Sequence, residues 1–322
     1  MNRRNAISAL IAFIATSRPF AASAQQSGKI RRIIVYATTP EARDWFLGSM
    51  RQLGWIDGRN ISFKLASTQE IDEDALRSAL LDQDNPVALL VMGGARRIRA
   101  ALNVTKTVPI VAIDLESDPV ASGFVKSLAR PGMNVTGVWM DMPELIGKQL
   151  QLMREAIPQL RHLGILWDDR FVGPQVEHVK TVAQTLKITL SSVVIRGGSD
   201  IAGAMERMVT RRPDALLVLS SPTIFASLHQ VAELARDKHL PSICLFSNYA
   251  HVGGLLSYGP DFASMYRQTA DYANRILKGS KAGDLPVERP TKFELVFNLK
   301  TAKALGIKIP PSILQRADRV IE

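Results

Sequence analysis

Hydrophobic positions follow two alternating rhythms along this chain. Short β-branched runs, expected as strands at 33–37, 87–92 and 109–113, are separated by stretches whose apolar residues fall three and four apart. Phe46, Met50 and Leu53 hold one face of a helix that stops at Gly54. Asp57-Gly58 then turns the chain into Ile61, Phe63 and Leu65, which alternate as a half-buried strand does. Helices around 75–81 and from about Ala95 complete this first series. A second series has strands expected at 162–167, 190–195, 215–219 and 242–246. Strand starts at 33, 61, 87 and 109 lie 28, 26 and 22 residues apart, and those at 162, 190, 214 and 242 lie 28, 24 and 28 apart. Near-continuous apolar strands alternating with helices imply parallel sheets covered on both faces. Two such units in tandem imply two lobes with a cleft between them.

The joint between the units is legible too. A strand at 134–138 runs into Asp141 and Glu144, a capping-box pair for a helix carrying Ile146, Leu150, Met153 and Ile157 on one face; Pro158 ends it. After the second unit, 255–258 leads through Gly259-Pro260 into a long helix over 261–278 stopped by Gly279. A polar linker over 280–290 delivers a further strand at 293–298. The expected class is therefore α/β, two Rossmann-like lobes with parallel sheets and hinge crossovers. Lobe 1 takes 29–158 plus about 259–285, and lobe 2 takes 159–258 plus about 286–322.

The amino terminus changes the picture. Arg3 and Arg4, a short apolar core over 6–15 and the A-x-A site Ala22-Ser23-Ala24 form a secretory signal peptide over 1–24, too short for a membrane span. Both Sec and Tat export stay open, and no cysteine follows the site to carry a lipid anchor. Its removal lowers the formal charge from +10 to +7. The basic residues are scattered, without the runs and interleaved aromatics of a nucleic-acid groove, so they read as a solvated basic surface. Cys244, the single cysteine, excludes an intrachain disulfide and a cysteine-based zinc cluster. The five histidines form no metal-ligand pattern, and no P-loop, dinucleotide fingerprint or G-x-S-x-G elbow is present. No metal, cofactor or catalytic residue is expected.

Several longer segments carry a family resemblance. They are Ser117-Asp118-Pro119-Val120, the stretches 127–137 and 253–260, Leu285-Pro286-Val287-Glu288, 290–306 and Ile309-Pro310-Pro311-Ser312. In these the chain resembles the periplasmic ABC-transporter substrate-binding proteins related to tryptophan and tyrosine binders. The resemblance implies a type I periplasmic-binding fold, no catalysis, and a monomer that captures an amino acid or similar small molecule for an inner-membrane permease. The signal peptide, cleaved after Ala24, is expected to leave a soluble periplasmic protein. The departures fall where a ligand would sit, at Gly94-Ala95-Arg96-Arg97, at Trp167-Asp168-Asp169-Arg170 and over 247–251. A periplasmic sensor subunit and a hydrolase on the same fold remain alternatives, and a transcription-factor effector core would need a DNA-binding headpiece where the signal peptide stands.

In open α/β sheets ligands bind beyond the carboxyl ends of the strands. The ligand-binding candidates there are Thr38, Thr39, Gly94, Arg96, Asp118, Trp139, Trp167, Asp168, Ser221, Thr223, Asn248 and Tyr258. Ser221, Thr223 and Asp118 also fit plain helix or turn capping, and either tryptophan fits a core position as well as a ring stacked on the ligand. Three arginines, Arg96, Arg97 and Arg99, crowd one helix start against its dipole. Arg97 and Arg99 are expected to point outward. Arg96 is expected to clamp a ligand carboxylate.

Overall fold

Parallel pairing of the first five strands builds one sheet. The computed structural model describes residues 30–36, 40–65, 73–81, 87–92, 94–114, 117–170 and 173–322; the signal peptide, Thr38 and Thr39 lie outside them. Strands β1 (Arg31–Tyr36), β2 (Ile61–Leu65), β3 (Ala88–Met92), β4 (Ile110–Asp114) and β5 (Val135–Trp139) lie in the order β2-β1-β3-β4-β5. All four neighbouring pairs are parallel. Ile34, Leu89, Ala112 and Val135 pack into one apolar cluster, while Ile33, Leu90, Val111 and Val138 join another. Both faces are thus buried, as the unbroken hydrophobic strands require.

The second sheet holds β6 (His162–Asp168), β7 (Thr189–Ile195), β8 (Ala215–Val218), β9 (Ser242–Cys244), β10 (Leu256–Pro260), β11 (Phe293–Asn298) and β12 (Arg319–Ile321), ordered β12-β11-β10-β9-β8-β6-β7. Here β11 runs antiparallel to β10. The chain therefore folds into two mostly parallel sheets flanked by helices, the α/β class that the two rhythms predict. Cys244 is fully buried in β9, and burial pushes its thiol up to about 12. It is a small core residue.

Three segments pass between the sheets. Met140 and Asp141 link β5 to the helix Met142–Ala156, which leads to β6. Asp261 follows β10 and caps the helix Phe262–Leu277, which packs on the helix Pro40–Gln52 and on β3, β4 and β5. The chain then runs beside β5, where the Trp139 N–H donates to the Glu288 carbonyl (2.9 Å) and the Glu288 N–H to the Gly137 carbonyl (3.0 Å), before entering β11. Ion pairs tie the three passages together at Arg289–Asp141 (2.6 Å) and Lys292–Asp261 (3.0 Å). The capping box is only half made. The Asp141 carboxylate accepts from the Glu144 N–H, but the Glu144 carboxylate turns to Arg289 at 3.6 Å instead of reaching back.

Candidate functional site

Each sheet has a place where the strand order reverses. In the first, the chain steps from β1 to β2 on one side and then returns to β3 on the other. In the second, it steps from β6 to β7 and returns to β8. At such switch points the loops leave in opposite directions and open a crevice beyond the carboxyl ends of the strands. The β1/β3 and β6/β8 crevices are the two candidate half-sites.

At the β1/β3 crevice, β1 ends at Tyr36 and the helix Gly94–Val104 follows β3. Gly94 is buried and starts the helix in a left-handed conformation, φ +80°. The arginines overturn the sequence expectation. Arg97 does not point outward: it is only 2 % exposed, and its guanidinium lies 5.2 Å from the centre of the Tyr36 ring. Arg96 is the exposed neighbour. The helix phase explains this, since Arg97 shares a face with buried Ala101 four residues on. The ring of Tyr36 gives the cation an electrostatic seat. Arg99 is exposed, as expected, and lies over Phe124. Arg97→Ala should consequently lower stability by about 2–3 kcal/mol, through lost packing and cation–π attraction. Urea unfolding of Arg97→Ala beside Arg96→Ala checks it; equal midpoints for the two variants would contradict the assignment.

At the β6/β8 crevice a polar network spans the switch point. Asp168, the last residue of β6, is fully buried. Arg170 clamps it through Nε (3.0 Å) and Nη2 (2.8 Å), and the same Nη2 donates to the Thr223 hydroxyl (2.7 Å) beyond β8. Burial pushes the Asp168 carboxyl up, but hydrogen bonds from Arg170 and Thr223 outweigh it and hold the group below its ordinary value. The Ser221 hydroxyl accepts the Ile224 N–H (3.1 Å) as a cap of the short helix Pro222–Ala226. Gln175, fully buried, donates to the Ser220 hydroxyl (3.0 Å), and its side-chain carbonyl oxygen has no partner. Gln175 carries no signal in the sequence, Ser220 stands at a strand end beside the candidates Ser221 and Thr223, and Arg170 belongs to a run that departs from the family without being a candidate itself. The unusual Asp168-Asp169-Arg170 run was the available signal.

The remaining candidates lie elsewhere. One Asp118 oxygen accepts from the N–H groups of Val120 (2.8 Å) and Ala121 (2.9 Å), closing a turn. Trp139 is 3 % exposed, with an unpartnered indole N–H. Both line a crevice of about 220 Å³ that also includes His178 and Arg289. The Trp167 indole donates to Ser192 on β7 (2.7 Å), so its ring lies along the sheet. Asn248 is exposed at the start of a four-residue helix. Tyr258 stacks on Phe293 (5.8 Å between ring centres) in a separate cavity of about 620 Å³ beside the crossings, with Lys148 and Arg289. The structure thus gathers Asp168, Ser221 and Thr223, and separately Asp118 and Trp139. It does not bring all ten of the described candidates together.

Residues 30–321 match the model of the ABC transporter substrate binding protein family. The chain belongs to this family. This ABC transporter substrate-binding protein is 25 % identical over 287 residues to a tyrosine-binding protein of Clostridioides difficile, covering 88 % of this chain and 82 % of that one. Among solved structures it resembles a conserved domain protein of Vibrio cholerae (25 % identity, TM-score 0.81). It also resembles a Streptococcus pneumoniae ABC domain in complex with L-Trp (23 % identity, TM-score 0.78). Each alignment covers 91 % of this chain and all of the other. The substrate-binding protein has the fold of the periplasmic-binding proteins, and its family role is binding rather than catalysis. Among its described residues, no helix is long and apolar enough to cross a membrane.

Proposed function

We propose that this substrate-binding protein is the periplasmic receptor of an ABC importer. It takes a small carboxylate-bearing ligand, an amino acid or aromatic acid, between the two switch-point crevices and closes by bending at the three crossings. The observation that carries this reading is the pairing of two polar crevices in one chain, one on each sheet, joined by short crossings. A ligand touching both crevices favours the closed arrangement, whereas one touching a single crevice does not. The tyrosine and tryptophan named for its relatives support this ligand class. On this reading the signal peptide is removed after Ala24 and the mature monomer hands its ligand to an inner-membrane permease. Arg96, exposed at the mouth of the first crevice, receives the carboxylate.

A micromolar ligand supplies about 8 kcal/mol at the 1 M standard state, enough to offset a few kcal/mol of closing cost. Thermal-shift screening against L-tyrosine, L-tryptophan, aromatic acids and other amino acids tests the reading. A hundredfold excess over Kd should add about 2.7 kcal/mol of stability. Small-angle scattering should then give a smaller radius of gyration with the bound compound, and Arg96→Ala should weaken its binding more than tenfold. An unchanged radius at saturation excludes closure, and equal affinity in Arg96→Ala excludes that anchor.

A further inference from the structure

We infer that Arg170 is a specificity-determining residue that selects ligands carrying a second anionic group, so that this receptor takes a net-negative molecule such as a dicarboxylate or an acidic amino acid. The inference rests on the cleft reading above and goes beyond the zwitterions named for the relatives. Arg170 stands at the β6/β8 switch point, where the second sheet opens its crevice. Its guanidinium is held in place before any ligand arrives, by a bidentate clamp on Asp168 and by the Thr223 hydroxyl. Asp168 is wholly buried while 42 % of the Arg170 side chain stays exposed, so the cation is the member of the pair that reaches solvent, and the neighbouring Asp169 carboxylate is itself met by Arg196 (3.7 Å). A cation fixed this way binds without the ordering cost that a mobile arginine meets. The surplus of seven positive charges left once the signal peptide is removed draws anions toward the cleft.

Paired probes test this by titration calorimetry on the full protein: terephthalate against benzoate, L-glutamate against L-glutamine, with L-tyrosine and L-tryptophan alongside. The expected result is at least tenfold tighter binding of one two-carboxylate member than of its one-carboxylate counterpart. The double variant Asp168→Asn/Arg170→Gln, which buries no unpaired charge, should fold normally and lose that preference. The readout is the ratio of the two affinities within each pair, which should fall to near one. Arg170→Lys should keep part of the preference, because charge survives without the fork. If tyrosine or tryptophan binds and neither two-carboxylate probe gains over its partner, the inference falls and the cleft reading stands. If the double variant keeps the preference, Arg170 is structural and the inference is wrong. If no probe binds, both readings fail.

Discussion

Gly137→Ala should leave almost no folded protein. Gly137 sits mid-way along β5, opposite Ala112 of β4, at φ +138°. A methyl group there would lie 2.0 Å from the Ala112 carbonyl oxygen and 2.7 Å from its nitrogen. These are backbone atoms in a sheet ladder, so relief requires prising β4 from β5. The Gly137 carbonyl also accepts the Glu288 N–H, so the same shift would loosen the third crossing. Overpacking and an unfavourable φ combine to a cost above about 4 kcal/mol, a large share of a typical domain's stability. Gly259→Ala should behave similarly, since its methyl would meet the Leu245 carbonyl oxygen at 2.0 Å. Gly48→Ala is the control. Nothing lies within 4 Å of a methyl there, and the helix Pro40–Gln52 should gain about 0.5–1 kcal/mol. Soluble yield and thermal melting of the three variants decide it. A Gly137→Ala protein melting like wild type would refute the close-packing argument.

Arg170→Met should destabilise the protein by roughly 2–3 kcal/mol at neutral pH, because it strands the buried Asp168 carboxylate. The figure sits below that of a fully buried pair, since Arg170 is partly solvated. The pH dependence gives the sharper signature. In wild type the folded Asp168 titrates below its ordinary value of 3.8, so its contribution is present above that value and is lost only as pH falls through the folded pKa. Without Arg170, burial dominates and raises the carboxyl. A raised group favours folding at acid pH and loses that contribution as pH rises through the folded pKa. The gap between wild type and Arg170→Met should therefore widen from pH 3.5 to pH 7. Urea midpoints across that range measure it, and a constant gap would show that Asp168 is not the stranded group.

Most of the architecture was legible because long apolar strands and helix-spaced residues are strong, local signals. The strands expected at 162–167 and 190–195 appear as His162–Asp168 and Thr189–Ile195. The strand Arg319–Ile321 escaped notice, since three residues with an exposed Val320 carry no periodicity and gain their order only from β11. The site was less legible. Choosing between Arg96 and Arg97 depends on the phase of one helix and on a tyrosine ring arriving from β1, some sixty residues earlier in the chain. Tyr258 followed a glycine-rich family segment, yet its partner Phe293 lies across a crossing. Asp168 and Thr223 are legible as strand-end polar residues, whereas the arginine that joins them shows only as part of an unusual run. Its role depends on β6 and β8 being neighbours, and chain order alone would have placed β7 between them.

The three passages between sheets also bear on how such receptors can be recombined. The long helix Phe262–Leu277 packs on the first sheet although both its flanking strands, β10 and β11, belong to the second. The two sheets with their covering helices are therefore interleaved along the gene. Exchanging the first 158 codons with those of a relative would transplant a sheet without the helix that covers it. A working chimera must swap two separate segments at once, and, on the cleft reading proposed above, any inherited change in ligand preference arises more readily through substitutions at the two crevices than through shuffling of whole lobes.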